Sequence, residues 1–200
     1  MGSMRYPLSE NFLSFFDVEF VTSAAQLREV YEIRYRVYCE EFAFESAEAF
    51  PDKQEKDEFD EDSFHALIRH KSSGIPAACV RMVSPQGAES STSLPFEKNC
   101  ADSLDAEFID GLSLDRNTIS EISRLAVDQA FRRRPGEGVT RYGAVEGLDC
   151  SMQERRTFSL IAVTCFLAAT ALTDLSGRRN VFAMMEPFLP RLLRRSGIHV

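Results

Sequence analysis

The chain has 200 residues, 44% of them hydrophobic, with 16 Phe, no Trp and a formal net charge of −8. That length fits one domain with a sizeable core, and the apolar fraction excludes an intrinsically disordered chain. An acidic balance without a recognised binding motif argues against nucleic acid as a partner.

The charge is unevenly spread: residues 1–62 carry 16 acids and 6 bases, whereas residues 124–200 carry 7 acids and 12 bases. The basic part suits an acidic protein or a phosphate-bearing ligand. Five cysteines (Cys39, Cys79, Cys100, Cys150, Cys165) form an odd set without C-x-x-C spacing. They read as reduced core residues of a cytoplasmic protein. Met1-Gly2-Ser3 ahead of Met4 reads as the remnant of a tag, and no signal peptide follows it.

In chain order, residues 12–21 are rich in Phe and Val and predict a first strand. Ser23 and Gln26 have capping-box spacing and open a helix expected to reach Glu41. At about 100° per residue, Leu27, Val30, Tyr31, Val37 and Tyr38 share one face. Arg34 falls in the middle of that apolar stripe, so it needs a buried acidic partner; Arg36 falls opposite and is expected to be solvated. Residues 42–62, acidic and without a period, read as a loop able to fold over a site. Within it lies Glu55-Lys56-Asp57-Glu58-Phe59-Asp60.

Strands over 63–70 and 75–83 flank Lys71-Ser72-Ser73-Gly74, a hairpin signature. Alternation puts Arg81 on the face of Ala77, Cys79 and Val83. Residues 84–115 are polar and irregular around an anchor, Leu94-Pro95-Phe96. Residues 117–127 form a strand whose alternation sets Glu121 on one face and Arg124 on the other, unless a β-bulge brings both to one side. Residues 131–149 read as a Gly- and Arg-rich loop and 154–175 as a core helix closed by Gly177. A strand over 180–185 follows. Pro187 then opens a short helix ended by Gly197, and a last strand begins at 198–200. The order β-α-β-β-β-α-β-α-β gives a mixed α/β sheet with helices packed on it. His65, His70 and His199 lack metal-ligand spacing, so no metal is assigned and the strand histidines are expected to be satisfied by neighbours.

Arg34-Tyr35-Arg36-Val37-Tyr38, the E-x-D-x-F-D segment, Arg81, Leu94-Pro95-Phe96 and Glu121-Ile122-Ser123-Arg124 run across most of the chain. In that order and spacing they resemble the autoinducer-synthase-like branch of the GNAT acyltransferases, whose sheet is mixed and mostly antiparallel. That branch comprises acyl-homoserine-lactone synthases, long-chain N-acyl amino acid synthases and PEP-CTERM/exosortase-associated acyltransferases. Phe131-Arg132-Arg133-Arg134 and Met185-Glu186-Pro187 with Arg191-Leu192-Leu193 are most like the last group. The absence of Trp departs from acyl-homoserine-lactone synthases, and family members continue with further strands beyond the last helix. A single domain over 1–200, short of those strands, is therefore expected.

The resemblance implies transfer of a long-chain acyl group from a thioester to the amine of a small acceptor such as an amino acid. No tightly bound cofactor is implied; acyl carrier protein, or coenzyme A, carries the acyl co-substrate. Glu121 is expected to take the amine proton through a water, with backbone N–H groups at the bulge receiving the oxyanion. Arg34, Asp57, Asp60, Arg81 and Arg124 form a charged network around the acceptor, and Tyr38 and Phe96 line the acyl slot. Arg132, Arg133, Arg134, Arg155 and Arg156 steer the acidic carrier protein. Contact with a membrane is expected only at its periphery, through the lipid product. Arg133 to Gly138 also match R-x-x-G-x-G, a phosphate-cradling loop, but no helix follows directly, so the match is taken as coincidental. Two alternatives stay open: an acyl-homoserine-lactone synthase using S-adenosylmethionine, and a non-catalytic module binding acyl chains or carrier protein.

Overall fold

Ser23 stops one element and starts the next. Its hydroxyl accepts from the Gln26 N–H while the Gln26 carboxamide oxygen accepts from the Ser23 N–H, at 3.3 and 3.2 Å. This reciprocal cap satisfies two donors that the first helical turn leaves orphaned. Ser23→Ala should therefore lower stability by about 1 kcal/mol, read as a lower urea midpoint with an unchanged slope.

A computed structural model describes residues 8–61, 63–85, 93–132, 150–187, 189–195 and 197–199. The main elements are α1 (Leu8–Phe15), β1 (Phe16–Phe20), α2 (Ala24–Arg34), β2 (Phe64–His70), β3 (Pro76–Val83) and α3 (Pro95–Asn99). They continue with α4 (Ala106–Gly111), β4 (Ile119–Val127), α5 (Met152–Arg155), α6 (Ile161–Leu175), β5 (Asn180–Phe182) and α7 (Leu189–Arg195). The sheet order is β1-β2-β3-β4-β5, antiparallel throughout except for the parallel β4–β5 pair. This is the mixed, mostly antiparallel sheet expected of the GNAT fold.

Each sheet face has its own core. On one, Ile161, Cys165, Ala168, Ala169 and Leu172 of α6 cover Ala66, Ile68, Ala78, Val80, Met82 and Ile122. On the other, Val30 and Ile33 of α2 and Val37 beyond it cover Leu67, Cys79 and Ala126. By length and composition alone Met152–Leu175 could cross a membrane, but its α6 part lays an apolar face on the sheet.

Several expectations are corrected. The predicted strand over 12–21 is half helix: Phe12 stacks on Phe16 at 4.8 Å across the α1–β1 junction, a four-residue spacing that a strand would not bring together. The helix from Ser23 does not stay α to Glu41. From Tyr35 to Glu41 it is a π-helix, with the Phe42 N–H donating to the Val37 carbonyl. The irregular 84–115 stretch contains α3 and α4. The single helix over 154–175 is broken by a turn at Arg156-Thr157 and a 3-10 segment, Phe158–Leu160.

The strand over 180–185 ends at Phe182, and the helix after Pro187 starts at Leu189. Residues 198–199 carry no strand, the Ile198 N–H closing α7 onto Leu193. Ala77 belongs to the α6-side core and not to the face of Arg81, because the β2–β3 register slips between Ile68 and Arg69. The hairpin is as expected, with Gly74 at φ 69° and its N–H on the His70 carbonyl.

Candidate active site

The α2 side of the sheet carries the charges. Arg34, wholly buried, stands where α2 gives way to the π-helix. Its fork grips Asp60 in two bonds of 2.6 and 3.0 Å, and its Nε pairs with Glu55. Arg81, 1% exposed, donates one guanidinium nitrogen to Asp57 (2.6 Å) and Asp60 (2.9 Å), and its Nε to the Ser123 hydroxyl (3.2 Å). Arg124 reaches Glu55 at 3.1 Å and Asp57 at 3.2 Å. Arg124 also meets the half-exposed Glu45 at 3.5 Å, so three arginines face three inner carboxylates and a fourth at the rim.

The E-x-D-x-F-D spacing has a local cause. The Asp60 carboxylate accepts from the Asp57 N–H at 2.7 Å, and the Asp57 carboxylate accepts from the Phe59 N–H at 2.9 Å. The two aspartates fold their own turn (an Asx arrangement) and present their remaining oxygens to arginine. The Glu55 N–H, on the Tyr31 carbonyl, ties the loop to α2. At Asp60 burial favours the neutral acid, but the Arg34 and Arg81 guanidinium groups outweigh it and hold its carboxyl far below the carboxylate range.

β4 supplies the rest through a bulge. Cys79 pairs with Ala126 and Arg81 with Ser123, so Arg124 and Leu125 together face Val80. Arg124 takes φ 51°, a left-handed conformation rare for a side-chain-bearing residue. This is the extra residue that the alternation required to bring Arg124 to the side of Glu121 and Arg81. Beyond Glu121 the sheet opens. β4 and β5 pair from Ile119↔Asn180 to Glu121↔Phe182, and β4 runs on to Val127 paired with β3 alone.

Glu121 sits at that opening, 2% exposed. It accepts from the Phe96 N–H at 2.8 Å, and its carboxylate forms no ion pair among the described residues. Burial pushes its pKa up to about 7, against the opposing pull of the Phe96 N–H and Arg81. Phe96 stacks on Phe182 at 4.8 Å and lines a cavity of about 230 Å³ with Ile109, Leu114 and Ile119.

The structure redistributes other expected residues. Tyr38 joins the charged network as well as packing against the Val30, Ile33 and Val37 cluster: its ring lies under the Arg124 guanidinium and its hydroxyl donates to the Leu125 carbonyl at 3.1 Å. Arg36 is not merely solvated, since it pairs with Asp128 at 2.8 Å. Arg132 is held by the Val127 carbonyl, Glu41 and the Phe42 ring. Arg155, which donates to the Cys150 carbonyl, and Arg156 are exposed on another segment. Arg133, Arg134 and the R-x-x-G-x-G match lie outside the described residues.

Sequence reasoning undervalued Glu55, which ties Arg34 to Arg124, and Ser123 beneath Arg81. It also misjudged His65. Neither ring nitrogen of this buried histidine has a hydrogen-bond partner among the described residues, and burial lowers its pKa to about 4. Arg81 Nη2 is likewise unpartnered among them. No alternation rule exposes such a deficit, because it arises from what the loop does not reach.

No curated protein matches the chain by sequence. By fold it is similar to the AHL synthase LasI, with a TM-score of 0.54 at 15% identity over 91% of this chain and 78% of that one. TofI, solved in a ternary complex with an inhibitor and MTA, gives 0.58 at 19% over 90% and 77%. FeeM, an N-acyl amino acid synthase from uncultured soil microbes, gives 0.50 at 13% over 88% and 74%. The acetyltransferase (GNAT) domain profile matches residues 33–140. That span is more than half the chain and holds every member of the charged network, the bulge and Glu121. The chain therefore belongs to the GNAT acetyltransferase-domain family, and it is an acyltransferase.

Proposed function

We propose that the protein is an N-acyltransferase that moves a long-chain acyl group from acyl carrier protein to the amine of an amino acid. The observation that carries this reading is Glu121. It is a carboxylate whose pKa burial pushes up to about 7, at the mouth of the opening between β4 and β5, with no ion-pair partner among the described residues. A base with that pKa exchanges protons readily at neutral pH. The amine nitrogen attacks the thioester carbonyl as Glu121 takes its proton through a water; the C–N bond forms, the C–S bond breaks, and the proton passes to the departing thiolate. Backbone N–H groups around the bulge at Arg124 receive the oxyanion. The unpartnered Nη2 of Arg81 suits the acceptor's carboxylate, and Phe96 and the cavity beside it suit the acyl chain.

The basic C-terminal part suits an acidic carrier protein and equally the phosphates of coenzyme A; the carrier-protein donor is taken from the resemblance, and a cytoplasmic setting accompanies it. Placement near the PEP-CTERM-associated group rests on the arginine run at 132–134 and the Met185-Glu186-Pro187 segment. An acyl-homoserine-lactone synthase is the second reading, favoured by the likeness of fold to LasI.

Incubation with palmitoyl-acyl carrier protein, a mixture of free amino acids and, separately, S-adenosylmethionine, read by mass spectrometry, decides between them. An N-acyl amino acid is the expected product. An acyl-homoserine lactone would establish the second reading. Carrier-protein binding without thioester consumption would sink both and leave a binding module.

A further inference from the structure

On the α6 side, at the end of β2 away from the acyl site, three side chains of metal-ligating type converge. His70, 1% exposed, turns its Nε2 toward the Glu154 carboxylate at 2.6 Å and the Cys150 sulfur at 4.0 Å. The three donor atoms all lie within 4.8 Å of one another. His65 pairs with Arg81, and His70 lies five residues further along the same strand on the opposite face, about 16 Å away. The cluster is separate from the acyl-transfer chemistry.

We infer that His70, Cys150 and Glu154 bind a single Zn²⁺ ion. The donor set is one imidazole nitrogen, one thiolate sulfur and one carboxylate oxygen. That borderline-soft mixture suits zinc and neither magnesium nor calcium. Tetrahedral coordination at ordinary zinc bond lengths sets donors about 3.3–3.6 Å apart. The present 2.6 and 4.0 Å separations bracket that range, so rotamer-scale shifts seat the ion.

The surroundings orient the ligands. The other imidazole nitrogen, Nδ1, lies 2.7 Å from the Ser73 hydroxyl, which presents Nε2 inward, as outer-shell partners of ligating histidines do. The second Glu154 oxygen accepts from the Ser151 N–H at 3.0 Å within the α5 capping box, while the first faces His70 and accepts from the Ser72 hydroxyl at 3.3 Å, a bond the ion would replace. The Phe16 and Phe131 rings, 5.2 and 5.3 Å from the His70 ring, wall the site with apolar surface. Binding releases the thiol proton of Cys150, and water takes the fourth position. The ion ties the β2–β3 turn to the start of α5.

The ligands come from segments 80 residues apart in sequence, which is why no short-range spacing reveals them. The test is to dialyse the full chain against ZnCl₂ and then metal-free buffer, and to count metal by mass spectrometry. One zinc per chain is expected, with a raised Tm. The cobalt-substituted protein should show a thiolate-to-cobalt charge-transfer band. Cys150→Ser, at a half-buried position where misfolding is least expected, should lose the zinc and the band, and Ser73→Ala should weaken binding about ten-fold. No retained zinc, or zinc and an unchanged band in Cys150→Ser, overturns the inference and leaves His70 and Glu154 a buried hydrogen-bonded pair.

Discussion

Arg34→Met is expected to destabilise the fold by about 3–5 kcal/mol. The size follows from what is left behind. Methionine fills much of the volume, but Glu55 and Asp60 remain, 1% and 4% exposed, having lost the guanidinium that bridged them. Asp60 keeps Arg81, and Glu55 keeps only Arg124, so the greater part of the cost should sit on Glu55. Adding Glu55→Gln should return part of the loss, and the coupling in that double-mutant cycle measures the pair. The pH dependence has a definite sign. The folded-state pKa of Asp60 is depressed, so its contribution is full above the ordinary value of 3.8 and is lost as pH falls below it. Urea unfolding of Arg34→Met within about 1 kcal/mol of the parent would contradict the pairing, because exposed ion pairs are worth no more than that.

The same residue shows how far the sequence carries. Helical periodicity alone put Arg34 inside an apolar stripe, and burial of an unpaired charge is too costly to persist, so an acidic partner was implied before any coordinates. The E-x-D-x-F-D loop supplied it. The bulge in β4 was only a condition in the sequence: Glu121 and Arg124, three apart, cannot share a face of a regular strand, and nothing in the residues shows that the strand departs from regularity. Other features had no such signature. A π-helix differs from an α-helix by one residue per hydrogen-bonded ring, and Tyr35 to Glu41 offers no residue that marks the change. Phe12 and Phe16 read as strand residues by propensity, and only their stacking shows the helix that separates them. The bond from the Tyr38 hydroxyl to the Leu125 carbonyl has no sequence signature either, because that carbonyl comes within reach only once the bulge has turned the chain. His65 was taken as satisfied because most buried histidines are, and its exception depends on loop atoms that stop 3.7 Å short at Asp60.

Glu121→Gln should reduce kcat/KM by about 10²–10⁴-fold, the range expected when a positioned general base is lost, without unfolding the protein. Glutamine is isosteric and its carboxamide oxygen still accepts from the Phe96 N–H, so the local geometry survives. The pH profile separates the chemistry from a structural effect. In the parent enzyme activity should rise with pH through about 7, where Glu121 loses its proton, and the glutamine variant should lose that limb. Stability should move the opposite way. The folded-state pKa of Glu121 lies above its ordinary 4.5, so its contribution is fully present below 4.5 and is lost as pH rises through about 7. Above pH 7 the glutamine variant, with no charge to bury, should be the more stable protein by on the order of 2 kcal/mol. One substitution that removes turnover while raising stability at alkaline pH is the mark of a carboxylate held at its position for reactivity and not for folding. Activity within ten-fold of the parent, or an unchanged limb near pH 7, would move the base to another residue.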